Sequence, residues 1–119
     1  MPNSRQVDRT LLNAVATGSV TYETREGLKG FDNPQQGFHH HISWATGVTA
    51  GAVTIEFADD ASYAGTWAPS ATVTFSGTAP KQDYVYTPGQ PRAIRHRIST
   101  TVSGGGAPSV TTRLTGSPA

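Results

Sequence analysis

Residues 38–45 read FHHHISWA, in which the large apolar side chains, those of Phe38, Ile42 and Trp44, all lie an even number of positions apart. Successive side chains of an extended strand point to opposite faces, so a period of two indicates a strand with one buried face. One face would carry Phe38, His40, Ile42 and Trp44, and the other would carry His39, His41, Ser43 and Ala45. We therefore expect a strand here whose first set of side chains enters a core.

Similar short segments continue on both sides of this strand. They cover residues 11–16, 19–23, 52–58, 71–75, 83–87, 92–102 and 109–114, of which 11–16 could also form one helical turn. Gly, Pro, Asn and Asp separate them, as in a long loop over 24–37 and a turn between Gly47 and Gly51. About eight strands without an amphipathic helix predict an all-β protein, an antiparallel β-sandwich of jelly-roll-like type.

Two further expectations concern domain limits and the core. Residues 1–10 are polar and predict a flexible N-terminal arm, followed by a single β-sandwich domain over residues 11–119. The protein has no cysteine, so packing and not disulfides must hold it together. The predicted core consists of Phe38, Ile42, Trp44, Val53, Ile55, Phe57, Val73, Phe75, Ile94, Ile98, Val110 and Leu114.

Composition argues against several classes of function. The net charge is +1, with four basic and seven acidic side chains in residues 1–60 and five basic and one acidic in residues 61–119. A nucleic-acid-binding domain is usually more basic. No apolar run approaches the ~20 residues that cross a bilayer, and the N-terminus lacks the apolar region of a secretory signal. We therefore expect neither nucleic acid nor a membrane as a partner.

Motifs of catalysis and cofactor binding are absent from the sequence. It contains no Gly-x-Ser-x-Gly motif and no glycine-rich loop that ends in Lys-Ser/Thr. The glycines at 104–106 are expected to join two strands, so no helix N-terminus would be there to bind phosphate. The protein is therefore predicted not to be an enzyme and to need no cofactor.

Histidines and carboxylates offer weak candidates for a metal site. His39 and His41 would lie about 7 Å apart on one strand face, and His96 or a symmetry-related chain could add a third ligand. Glu56 with residues 59–60 could bind Ca²⁺ at a strand end, but an outward Glu followed by turn-forming Asp residues explains the same pattern. We expect no metal, so a metal-dependent enzyme that uses these histidines is the least favoured hypothesis.

Four arginines are candidates for a protein interface. Arg92, Arg95 and Arg97, with Arg113 on the neighbouring strand, would form a basic patch. Arginine is enriched at interfaces and pairs with carboxylates through two hydrogen bonds, which suits an acidic partner surface. A solvated strand face would carry the same residues, so both interpretations stay open.

The tyrosines at 84 and 86 are a second set of interface candidates. Tyr84 and Tyr86 share one face of a predicted strand, and tyrosine often anchors protein interfaces. Together with Tyr63 and Trp67 they could instead stack on sugars, as aromatic side chains do in carbohydrate-binding modules, or fill the core.

Four stretches share a layout with a known class of proteins. They are GAVTIE at 51–56, DDASYAGTW at 59–67, RAIRHRI at 92–98 and VSGGG at 102–106. Over residues 44–114 this order resembles the small β-sandwich structural proteins of tailed bacteriophages. In these, a G-x-V-x-I/V-E strand precedes a D…W turn, and an R-x-I/V-R-x-R-I/V strand leads into a Gly-rich turn.

The resemblance implies a virion structural protein of the capsid decoration, or cement, type, which binds and stabilises the assembled head shell. It implies as partners the major capsid protein and copies of the chain itself, in a dimer or trimer. It also implies a place on the capsid surface of the virion after synthesis in the host cytoplasm. The alternative that stays open is a tail or baseplate module that binds host glycans. No catalytic residue comes with this resemblance.

Overall fold

The protein forms eight β-strands over the part that the computed structural model describes, which comprises residues 7–23, 35–58, 67–89 and 91–118. The strands are β1 Asp8–Thr10, β2 Ser19–Glu23, β3 Gln35–Trp44, β4 Val48–Ala58, β5 Ala68–Thr74, β6 Lys81–Pro88, β7 Ala93–Gly104 and β8 Val110–Pro118. Hydrogen-bonded neighbours run antiparallel throughout. The expected all-β, antiparallel fold of about eight strands is confirmed.

The strands form two four-stranded sheets. Sheet 1 has the order β1-β8-β3-β6, and sheet 2 has the order β2-β7-β4-β5. Every connection except the one from β4 to β5 passes from one sheet to the other. This strand order defines a jelly roll, in which two sheets enclose one core.

The core lies between the sheets and consists mainly of the alternating side chains predicted above. Phe38, Ile42 and Trp44 of β3 are each at most 1% exposed. Trp44 meets Phe75, which follows β5 of sheet 2, edge to face with ring centroids 5.4 Å apart. Three predicted core side chains, those of Phe57, Val73 and Ile98, are only partly buried. The remaining predicted core side chains are buried, so period two found part of the core, but it missed buried side chains such as Val7, Leu12 and Val102.

The prediction of a strand over residues 11–16 is wrong. Leu11 and Leu12 are both buried, and a strand directs neighbouring side chains to opposite faces. The backbone therefore bends after them, and Ala14 takes a positive φ of 52°. Val15 makes an isolated bridge to β8 before the chain enters β2.

The turn between β3 and β4 is shorter than predicted. Gly47 has a φ of +93°, and its carbonyl oxygen accepts the N–H of Gly105 at 3.0 Å, which holds the turn against the loop between β7 and β8. Gly51, which was expected to close the turn, lies inside β4, where the pairing with β7 is irregular. A Cβ there would approach the Trp44 ring to 3.2 Å, so the glycine leaves room for that ring.

Part of the predicted N-terminal arm belongs to the sandwich. Asp8–Thr10 forms β1 and pairs with β8, and Val7 is buried in the core beside it. The sandwich therefore includes residues before the expected domain start at residue 11, because Val7 contributes apolar surface to the core. Residues 1–6 of the arm, residues 24–34 of the predicted loop and residues 59–66 lie outside the described residues.

Candidate functional site

The outer face of sheet 1 brings together aromatic, histidine and arginine side chains. In the pairing of β3 with β6, His39 lies opposite Tyr86 and His41 lies opposite Tyr84. On the other side of β3, His41 lies opposite Arg113 of β8. Directly opposed residues of antiparallel strands point to the same face. These five side chains therefore form one surface, which we call the tyrosine–histidine face.

Each tyrosine of this face contacts a histidine of the neighbouring strand. The ring centroids of Tyr86 and His39 are 4.9 Å apart, and those of Tyr84 and His41 are 5.0 Å apart, with the latter rings nearly perpendicular. Tyr84 and Tyr86 nevertheless remain 65% and 46% exposed. Cross-strand pairs of this kind hold large side chains in place, which lowers the entropy lost when a partner binds.

Gly37 allows Tyr86 to lie close to the sheet. A Cβ at Gly37 would collide with the tyrosine hydroxyl and would lie 2.9 Å from the Thr87 carbonyl oxygen. The ring of Tyr86 therefore packs directly against the backbone of Gly37 in β3. Any larger residue at position 37 would occupy the space of this ring. The sequence had placed Gly37 in a loop, whereas it belongs to β3.

An exposed ion pair borders the face. Arg113 donates two hydrogen bonds to the Asp8 carboxylate, at 2.8 and 2.7 Å. Hydrogen bonding to Arg113 lowers the pKa of Asp8, and the same contact raises the pKa of Arg113. Burial and then the charge of Arg113 lower the pKa of His41, whose Nε2 lies 3.2 Å from Thr115 Oγ1. Asp8 thus neutralises the arginine of this face.

The outer face of sheet 2 carries a different cluster, which is centred on Glu56. This side chain is 7% exposed and binds two arginines of β7, with Arg95 Nη2 at 2.8 Å and Arg97 Nε at 3.1 Å from its Oε1. The Arg95 guanidinium also stacks on Trp67, 4.5 Å from the ring centroid. Burial would raise the pKa of Glu56, but hydrogen bonds from Arg97 and Arg95 outweigh it and hold that pKa below its usual value.

The four arginines do not form one basic patch. β7 and β8 lie in different sheets, so Arg113 is on the opposite side of the sandwich from Arg95 and Arg97. The sequence prediction assumed that consecutive strands are neighbours in one sheet. In this jelly roll, consecutive strands mostly lie in different sheets. Arg92 is exposed just before β7. A role of single arginines in an interface stays a prediction.

The core contains a buried histidine pair that joins the two sheets. Nδ1 of His40 in β3 lies 2.7 Å from Nε2 of His96 in β7, and neither residue is exposed. The other two ring nitrogens are each 2.8 Å from a threonine hydroxyl, that of Thr87 for His40 and that of Thr112 for His96. Burial is the main cause that lowers the pKa of His40 to about 3 and that of His96 to about 4. Both rings are therefore neutral at neutral pH.

This arrangement rules out the three-histidine metal site. His96 points into the core, whereas His39 and His41 lie on the outer face of sheet 1, so the three cannot share one ion. Within the described ranges, no group of three or more His, Cys, Asp or Glu side chains is placed to hold a metal. Glu56 is already bound by two arginines, and residues 59–60 of the Ca²⁺ hypothesis lie outside the described residues.

The sequence reasoning missed two parts of these sites. It placed His40 on the inward face of its strand and considered His96 as a weak metal candidate, so it did not pair them. Two histidines buried in one core need hydrogen-bond partners, and each is therefore a candidate partner for the other. It also assigned Asp8 to an arm, and no local pattern in the sequence indicates that Asp8 reaches Arg113.

Comparison with known proteins gives a structural likeness and no family. No protein-family model and no curated protein matches the chain. Among solved structures, the chain is similar to the coat protein dimer of Tobacco streak virus, with 12% identity and a TM-score of 0.36, over 100% of this chain and 89% of that one. The strand order alone defines the jelly roll. The described segments contain no helix that is long and apolar enough to span a membrane.

Proposed function

We propose that this protein is a structural subunit of a virus particle that acts by binding other proteins of the particle, without catalysis. The observation that carries the proposal is the tyrosine–histidine face, where Tyr84 and Tyr86 are 65% and 46% exposed and are held by histidines on a jelly-roll sheet. Tyrosine is among the residues that contribute most to protein interfaces. Jelly rolls are one of the common architectures of viral capsid domains.

The finer proposal is a capsid decoration or cement protein of a tailed bacteriophage, located on the capsid surface. The order of motifs over residues 44–114 supports it, because it resembles the small β-sandwich proteins of these phages. Its partners would be the major capsid protein and copies of itself. Since such a subunit binds the assembled shell and not its free components, binding stabilises the shell by mass action.

Binding to head shells tests this proposal. Purified protein is sedimented with shells that lack it, and the double variant Tyr84→Ala/Tyr86→Ala is compared with a control, Ser70→Ala/Thr74→Ala, on exposed positions of β5 in sheet 2. We expect saturable binding that raises the temperature at which shells rupture. The tyrosine variant should bind at least about tenfold more weakly, since an interface anchor contributes more than ~1–2 kcal/mol, and the control should bind as the parent protein does.

Two results would count against the proposal in different ways. If the unaltered protein does not bind shells, the decoration role is wrong. If it binds and the tyrosine variant binds equally well, the role stands but the tyrosine–histidine face is not the contact.

The same face favours one second candidate, a tail or baseplate module that binds host glycans. Exposed tyrosines can stack on sugar rings, and jelly rolls also occur in lectins. Trp67 does not belong to such a site, because it is only 7% exposed and lies against Arg95 on the other sheet. Saturable binding to a glycan array, lost in the tyrosine variant, would favour this candidate over the decoration role.

A further inference from the structure

A chain of four hydrogen-bonded side chains runs through the core from Thr87 through His40 and His96 to Thr112. Three of its members belong to sheet 1, on β6, β3 and β8, and His96 belongs to β7 of sheet 2. A neutral imidazole donates from one nitrogen and accepts at the other, and a hydroxyl does both. While both rings are neutral, every hydrogen bond from Thr87 to Thr112 therefore has one donor and one acceptor, whichever way the donors point.

Protonation of the two imidazoles changes the number of donors in this row of hydrogen bonds. With one added proton, the charged ring donates from both nitrogens, and its neighbour still accepts across the 2.7 Å contact between His40 Nδ1 and His96 Nε2. With a second proton, the two facing nitrogens both carry hydrogen and both rings carry positive charge. The contact then has no acceptor, so two donors and two like charges face each other in the core.

Among the described residues, the hydrogen-bond partners of the two rings are each other and two threonines, and none of them carries a negative charge. His40 lies opposite Val85 and Leu114, and His96 lies opposite Val20 and Ile55. The ionisable side chains next to the two rings along their own strands are those of His39, His41, Arg95 and Arg97, and with Glu56 on β4 they point to the outer faces. Asp83 of β6 lies on the inward side of sheet 1, but its carboxylate is bound by Trp44 Nε1 and by Lys81. The charges of His39 and His41 would further oppose protonation of His40.

We propose that the His40–His96 pair is an acid-sensitive clamp between the two sheets, which holds the sandwich together at neutral pH and opens it when both rings take up protons. The clamp is a property of the folded chain and does not depend on the proposed virion role. One consequence does rest on that role. If the protein stabilises a shell only while it is folded, opening of the clamp in acidic surroundings would end that stabilisation.

The pH range of the clamp follows from the direction of the pKa shifts. In the unfolded chain both histidines titrate near 6.5, and in the folded protein they titrate near 3 and 4. The unfolded state therefore binds more protons below pH 6.5, and stability that is complete above that pH is lost as the pH falls toward 4. Between pH 7 and pH 5 the ratio of folded to unfolded protein should fall about 25-fold for each ring, or roughly 500-fold for the pair.

Urea unfolding at pH 7, 6 and 5, followed by tryptophan fluorescence, tests the clamp. Glu56 contributes little in this range, because its pKa is already lowered from 4.5. His41, whose pKa is lowered by burial, adds to the loss in the parent protein and in the variant alike, so the difference between the two reports on the pair. His96→Gln leaves one buried ring, so its loss between pH 7 and pH 5 should be about 20-fold smaller than that of the parent protein. The control, Ser70→Ala at an exposed position of β5, changes no titratable group and should keep the loss of the parent protein. A parent protein with the same unfolding equilibrium at pH 7 and pH 5 would overturn the proposal.

Proton magnetic resonance of the unaltered protein gives an independent test, which holds even where His96→Gln does not fold. Of the four histidines in the chain, two should keep the imidazole C2–H shift of a neutral ring from pH 8 down to pH 5 for as long as the protein stays folded. Four resonances that all titrate near pH 6.5 in the folded protein would contradict the clamp.

Discussion

Replacement of Glu56 by glutamine tests whether the Glu56 carboxylate stabilises the outer face of sheet 2. Glu56 is a buried carboxylate between two arginines of β7, and glutamine keeps its volume while it removes the charge. Arg95 would remain stacked on Trp67 and beside Arg97, with no anion between them. We therefore expect Glu56→Gln to destabilise the fold through two uncompensated, partly buried cations.

The expected size of this effect follows from burial. Removal of one partner of a buried ion pair costs about 3–5 kcal/mol, whereas exposed pairs contribute less than about 1 kcal/mol. The side chain of Glu56 is 7% exposed, but those of Arg95 and Arg97 are 24% and 41% exposed, so water screens part of the interaction. We expect the free energy of unfolding to fall by about 2–3 kcal/mol.

Urea unfolding at pH 7 measures this change. Arg97→Gln alone should cost only about 1 kcal/mol, because Glu56 keeps Arg95. The double variant Glu56→Gln/Arg97→Gln should be less destabilised than the sum of the two single variants, since it also removes a surplus cation.

The difference in free energy of unfolding between parent and Glu56→Gln should persist at pH 5 and fade below pH 4.5, where the lowered pKa of Glu56 is approached. Equal unfolding midpoints for parent and Glu56→Gln at pH 7 would show that Arg95 and Arg97 do not need this carboxylate in the folded protein.

Three further predictions concern single positions. Gly37→Ala should push Tyr86 off the sheet and weaken partner binding while the jelly roll persists, which shell binding and circular dichroism together would show. Gly47→Ala should lower the melting temperature more than Gly106→Ala does, because both have positive φ but only at 47 would the new Cβ meet backbone. Asp83→Ala removes the acceptor of a 2.8 Å bond from a buried indole, so it should cost about 2 kcal/mol and alter the tryptophan fluorescence.

Much of the fold could be predicted from the period-two pattern, since that pattern reports which face of a strand is buried. The strand around residues 38–45 and its inward set were found because burial is the cause of the alternation. Residues 11–16 were mistaken for a strand because two adjacent leucines that both enter the core mimic a short apolar strand. Local sequence cannot reveal that bend, which depends on the β8 strand almost a hundred residues later.

The candidate site was harder to predict, because it depends on which strands become neighbours. Tyr84 and Tyr86 were placed on a common face correctly from their spacing, but their histidine partners needed the β3–β6 pairing. Arg113 was grouped with the arginines of β7 because the two strands follow one another in the chain, and the crossing between sheets separates them. Pairing between distant strands is therefore the information that the sequence pattern lacked.

An electron-microscopy map of a particle assembled in the presence of this protein shows directly whether the tyrosine–histidine face contacts a neighbouring subunit. We expect eight-stranded density on the outer surface of the shell, with Tyr84 and Tyr86 covered by a neighbouring subunit. A map in which the protein is absent from the particle, or in which both tyrosines face open solvent, would contradict the proposed role of this sheet face.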